Sequence, residues 1–221
     1  MPRIQYLIHT LVLFICLSSS TNSRAQSCYQ VYPDKNYFTC GVPSSEFEYM
    51  RSHSINGGAQ LQSNWCWAAC VQMVLNYHGL KVSQESVVER IYGSKYRNRP
   101  ANELQVLKAL KGTAKSIDGD TYMIKSYGGS TKINEIIAGL SGKWPLIVGI
   151  NNPGSKIGHA LVLTAIYYSN IYDKSGKITG YKPEKVILRD PAPQAESRNE
   201  MAWSEFVNRV NMVVKVWVVK E

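Results

Sequence analysis

The stretch Gln60-Leu61-Gln62-Ser63-Asn64-Trp65-Cys66-Trp67-Ala68-Ala69-Cys70 places a cysteine where a loop runs into a helix, with a glutamine six residues upstream. From Trp65 to Leu80, the residues Cys66, Ala69, Cys70, Met73, Val74 and Tyr77 recur at spacings of three and four, the period of a helix face, and Gly79 stops the run. Ser63 and Asn64, just ahead of the cysteine, are capping residue types. A helix N-terminus favours an anion through its unpaired amides and its dipole, and the thiolate is the reactive form of cysteine. The plainer reading of Cys66 is a buried core residue, since cysteine is among the most buried types.

A nucleophilic thiol needs a base, and four histidines compete. His9 sits in an apolar N-terminal run. His78 lies twelve residues along the same helix, roughly 18 Å from Cys66 at the helical rise. His53 has no evident orienting neighbour. His159, in Gly158-His159-Ala160, opens an apolar strand, so its ring can stand at the edge of a sheet. Downstream, Arg189-Asp190-Pro191 ends another strand. If the two strands pair as a hairpin, Asp190 returns beside His159 and can fix the ring through its second nitrogen. Asp190-Pro191 also reads as a simple strand-ending turn, and Asn151 and Asn152 are other orienting candidates. An oxyanion needs donors. The Cys66 amide is one, and Gln60 or Gln62 supplies the other; the residues alone do not choose between them.

Residues 1–25 have the layout of a secretory signal peptide: Arg3 near the start, an apolar run from Tyr6 to Leu17, then Ser23-Arg24-Ala25 as a small-residue cleavage site. The run is short for a membrane span, and the expected localisation is secreted or periplasmic. Cleavage leaves about 195 residues, enough for one domain with a sizeable core. It removes two arginines and no acids, so the net charge falls from +9 to +7. The basic residues are scattered and no aromatic-interleaved basic stripe appears, which argues against nucleic-acid binding. Four cysteines remain. Cys28 and Cys40 flank a polar, turn-rich stretch and can close a small loop that ties down the N-terminal arm, since export permits disulfides. Cys70, one turn beyond Cys66, reads as a buried small residue. No CxxC or HxxxH pairing supports zinc, and no metal or organic cofactor is implied.

Residues 26–58, with Pro33, Pro43 and Gly57-Gly58, read as an irregular arm ahead of a domain over 59–221. Helices are expected from Ser83 to near Gly93, from Pro100 to Leu110 and from Thr131 to Leu140. Strands are expected at Pro145–Ile150, His159–Tyr168, Lys185–Arg189 and Met212–Val219, with a long loop over Ser169–Pro183 and a helical turn at Trp203–Val207. Helices first and antiparallel strands later indicate an α+β domain in two lobes, and the cleft between lobes is the natural site.

Gln60 with Cys66-Trp67-Ala68, Gly158-His159-Ala160 and Asp190-Pro191 resemble the papain superfamily of cysteine peptidases, in the order glutamine, cysteine, histidine, aspartate. The resemblance implies a papain-like fold with an N-terminal helical lobe and a C-terminal antiparallel sheet. It also implies a catalytic set of Cys66, His159, Asp190 and Gln60, since in that superfamily the glutamine precedes the cysteine by about six residues. Aspartate followed by proline is similar to the bacterial branches, which include double-glycine leader peptidases and secreted effector proteases. Leader peptidases typically carry glycine after the nucleophile, where this chain has Trp67, so the resemblance carries no substrate over. The implied activity is cleavage of peptide or isopeptide bonds in a peptide or protein substrate. An amidase or acyl transferase with the same residues, and a non-catalytic papain-fold binding module, are the competing readings.

Overall fold

A computed structural model describes residues 27–42, 58–95, 97–152, 154 and 158–221. Residues 1–25, read above as a signal peptide, and His53 lie outside the described residues.

The fully buried strand β5 (Leu146–Ile150) explains the architecture. All five residues are buried, as expected of an apolar run covered on both faces. It sits between β6 (His159–Tyr172) and β9 (Val210–Lys220). Alternate residues point to opposite faces. Ile147, Ala160, Val162, Val214 and Val216 face one core, and Leu146, Val148, Leu161, Leu163 and Val213 face the other. The first core is closed by α1 (Cys66–Tyr77), α2 (Gln84–Tyr92) and α3 (Glu103–Ala109). The second is closed by α4 (Ile133–Ser141) and α5 (Trp203–Arg209). The result is an α+β fold with a helical lobe packed on an antiparallel sheet, as the order of elements implied. α1 lies across β6 and β5.

Helix starts follow local capping. Ser83 caps α2 by accepting from the Ser86 amide, and Gly93 ends it in the left-handed conformation. α3 begins at Glu103 rather than at Pro100, because Asn102 and Gln105 form a reciprocal capping box that fixes its start.

Several regions differ from the sequence-based expectation. The N-terminal arm is not irregular throughout: β1 (Cys28–Gln30) and β2 (Phe38–Gly41) form a hairpin, and β2 pairs with β6. Cys28 and Cys40 face each other across that hairpin and form a disulfide. The loop expected over Ser169–Pro183 is mostly strand. β6 runs to Tyr172 and β7 (Ile178–Arg189) starts six residues later, so only a tight turn joins them. The polar residues there belong to an exposed hairpin arm. Three further strands, β3 (Gly112–Lys115), β4 (Thr121–Gly128) and β8 (Arg198–Ala202), extend the sheet at its margins.

Candidate active site

Cys66 is the first residue of α1. The residue at the cap is Trp65, whose side chain caps nothing. Ser63 and Asn64, the expected caps, are bound to Asn98 instead: Asn98 Nδ2 donates to Ser63 Oγ at 3.0 Å, and the Asn64 amide donates to Asn98 Oδ1 at 3.0 Å. The helix therefore starts without a side-chain acceptor on its first turn, which leaves its positive end facing the thiol.

The two tryptophans flanking Cys66 are structural anchors. Both are buried. Trp65 Nε1 donates to the Arg97 carbonyl at 2.9 Å and Trp67 Nε1 to the Arg99 carbonyl at 3.0 Å. They fasten the 97–100 segment against the start of α1, so the chain entering α3 becomes a wall of the cleft. The Trp67 ring also meets Tyr92 edge-on, with centroids 6.2 Å apart.

His159 arrives from the opposite lobe as the first residue of β6, paired with Ile150 of β5. Gly158 is needed before it, because a Cβ there would come within 2.9 Å of the Ile150 carbonyl oxygen. Asp190 follows the last residue of β7, whose Arg189 pairs with Val162 of β6. The antiparallel return brings Asp190 Oδ1 to 2.7 Å from His159 Nε2. The same oxygen accepts from the Ala192 amide at 2.8 Å, so the carboxylate is itself held in place. With Nε2 so occupied, Nδ1 is the ring nitrogen left for Cys66. Burial works against a charge on this ring. Hydrogen bonds to Asp190 and Cys66, with their negative charges, outweigh it and raise the His159 pKa to about 9.

Gln60 donates its backbone N–H to the Pro191 carbonyl at 2.8 Å, which ties the loop before α1 to the segment after Asp190. Its side-chain Nε2 donates to the carbonyls of Gln62 and Ser63 at 3.0 and 3.2 Å. Gln60 lines a cavity of about 400 Å³ together with Cys66 and His159. Gln62 is exposed and borders a separate pocket with Trp65, Glu85 and Lys95. A larger cavity of about 590 Å³ lies on the other side of the thiol. Cys66, His159, Gly158 and Pro100 border both, so the two cavities are halves of one cleft that meets at the sulfur.

Other candidates are elsewhere. Cys70 is fully buried, and burial with the nearby charges of Cys66 and Asp190 pushes its thiol pKa well up, the environment of an inert thiol. His78 caps the far end of α1, with its ring 4.4 Å from that of Trp144. Burial lowers its pKa to about 4, and its Nε2 finds no hydrogen-bond partner among the described residues. Asn151 accepts from Asn211 and from Arg209 and does not reach the histidine in any hydrogen bond described.

The model of one family of proteins matches residues 52–218, which takes in the cleft and the sheet from β3 onward but not the β1–β2 hairpin. The chain belongs to the Peptidase_C39 like family. It is therefore a cysteine-type peptidase of papain-like fold, related to the double-glycine peptidases. No curated protein matches the sequence. Among solved structures, the chain is similar to the peptidase domain of Streptococcus ComA, a bifunctional ABC transporter involved in a quorum-sensing pathway. The identity is 14%, coverage is 74% of this chain and 96% of that one, and the TM-score is 0.47. It is similar to a double glycine motif protease from an AMS/PCAT transporter, solved in complex with the leader peptide. Here the identity is 21%, the coverage 73% and 88%, and the TM-score 0.42. A protein described as a C39-like peptidase from Bacillus anthracis shares 12% identity, with coverage of 74% and 94% and a TM-score of 0.48.

The residues that sequence reasoning missed line the larger cavity: Glu103 and Asn102 at the start of α3, Gly149 of β5, and Asn211 and Met212 of β9. The Trp65-Cys66-Trp67 triplet was the available signal for the first pair, because two buried indole N–H groups must find acceptors nearby. The second group is set by strand register alone.

Proposed function

We propose that this chain is an exported cysteine peptidase that cleaves peptide or isopeptide bonds through Cys66, His159 and Asp190, by way of a thioester. The Cys66 thiolate attacks the carbonyl carbon, and the pair of electrons on the carbonyl moves to its oxygen. The Cys66 backbone N–H and one N–H of Gln60 stabilise that oxyanion, the latter drawn from its present backbone acceptor. As the C–N bond breaks, His159 passes its proton to the leaving amine. Neutral His159 then takes a proton from water, whose oxygen attacks the thioester and releases the acid and the thiolate. Asp190 holds the ring throughout and stabilises its charged form.

The observation that supports this most is the 2.7 Å contact of His159 Nε2 with Asp190 in the cleft that Cys66 borders from the opposite lobe. Export is supported by the layout of residues 1–25 and by the Cys28–Cys40 disulfide.

Digestion of an unbiased peptide library and labelling with iodoacetamide, both followed by mass spectrometry, test the assignment. Cys66→Ala is expected to lose both cleavage and labelling, whereas Cys70→Ala retains them. Equal labelling of the two variants would sink it.

A further inference from the structure

The larger cavity beside the thiol carries a charge pattern that the bond-breaking chemistry does not use. Its floor is apolar, formed by Trp67, Ala160 and Met212. Its rim carries Glu103, the first residue of α3 and the only acidic residue lining the cavity. No lysine or arginine lines it. The Glu103 carboxylate enters no ion pair or hydrogen bond among the described residues, and its Oε1 lies beside Gly128 of β4, 3.1 Å from where a Cβ there would stand. Asn211 adds a second acceptor. Its Nδ2 donates to Asn151 Oδ1 at 2.6 Å, which turns its Oδ1 toward Gly149. A Cβ at Gly149 would lie 2.7 Å from that oxygen, so the glycine keeps the space in front of it open. Gln105 and Asn102 use their side-chain oxygens in the capping box, so they compete with neither acceptor.

We propose that this cavity is the subsite for a lysine or arginine side chain flanking the scissile bond, held by Glu103 and by Asn211 Oδ1. A long aliphatic stem lies on the apolar floor, and its cationic head reaches the acceptors at the rim. Arginine suits two acceptors on separate walls better than lysine, because its guanidinium offers donors in a planar fork. The site as a whole selects for positive charge. Glu103 is the one carboxylate that lines the cavity, and no basic side chain lines it to offset that charge.

This inference rests on the peptidase reading, and two arms separate their failures. In the first, a fluorescent peptide series that differs at one position, with arginine, lysine, citrulline or norleucine, is titrated into the Cys66→Ala protein by anisotropy. Arginine is expected to bind about tenfold tighter than its neutral isostere citrulline, the usual scale of a charge-assisted pair. In Cys66→Ala with Glu103→Gln the ratio is expected to fall to within about twofold, and with Glu103→Lys to invert. Raising the salt is expected to shrink it. Asp120→Asn, which removes a charge at the β3–β4 turn, is expected to leave the ratio as it was. In the second arm the wild-type chain digests the same peptides. Arginine-selective binding without any cleavage overturns the peptidase reading and leaves the subsite standing. Cleavage without a preference for arginine over citrulline, equal or unmeasurable binding across the series, or a preference that survives Glu103→Gln overturns the subsite.

Discussion

His159 stands between Cys66 and Asp190, and under the proposed mechanism the pH range of catalysis follows from that placement. With its pKa raised to about 9, the ring stays protonated through neutral pH and releases its proton as pH rises through that value. The leaving amine needs that proton, so the alkaline limb of kcat/KM is expected near pH 9 in the wild type. Asp190→Asn removes a negative charge and the charge-assisted hydrogen bond that favour imidazolium. The alkaline limb is then expected to move toward neutrality by roughly one to three pH units, read from a full pH–rate profile. A limb that stays near 9 removes Asp190 from its assigned part. That Cys66, His159 and Asp190 come together was legible in the sequence, because each sits in a telling local setting: a helix start, a strand start and a strand end. Gln60 is told from Gln62 in space only once its backbone is seen to pair with Pro191. Glu103 left only an indirect trace, because its seat depends on two indole N–H groups gripping a segment 32 residues away.

At the scale of elements, the N-terminal hairpin shows how a strand is hidden by its composition. Residues 27–42 carry Pro33 and a run of turn-forming types, so strand periodicity is too short to read there. What settles them into the sheet is contact with β6. Gly41 lies against that strand so closely that a Cβ would sit 2.5 Å from both the Ala165 Cβ and the Thr164 carbonyl oxygen. Backbone cannot yield as a side chain tip can. Gly41→Ala is therefore expected to cost about 1–3 kcal/mol, typical of overpacking, and to speed amide exchange in Phe38–Gly41 more than in β5. A melting temperature within 1 °C of wild type would contradict the close approach. β5 and β9 were legible for the opposite reason: β5 is an unbroken apolar run buried on both faces, and β9 carries a long valine-rich run whose alternate residues are buried. Only the outer half of the β6–β7 hairpin was hidden, because it is largely exposed and carries little core signal.

Across the whole molecule, the two cores share one sheet, and the cleft opens where the helical lobe meets it. His78 belongs to this scale, since it sits at the far end of α1 from the thiol and contributes to the fold instead of the reaction. Its folded pKa of about 4 lies below the ordinary histidine value of 6.5. The unfolded chain thus binds a proton between those values that the folded one refuses. Stability tied to this ring is complete above pH 6.5 and is lost as pH falls toward 4, by on the order of 2–3 kcal/mol. His78→Phe keeps an aromatic ring against Trp144 and removes the titration. Denaturant unfolding from pH 7 to pH 4 is expected to show a shallower acid decline in that variant, and parallel curves would count against it.

Cys70 lies four positions beyond Cys66 on the same helix. Neighbours at that spacing have Cβ atoms about 5–6 Å apart, too far for a sulfur–sulfur bond without bending the helix. Cys28 and Cys40 already hold each other. Among the described residues, a Cys66 oxidised to sulfenic acid therefore has no resolving thiol within the chain. In an oxidising surrounding its recovery depends on small thiols from outside, and where these are scarce the enzyme ages toward the irreversible sulfinic state.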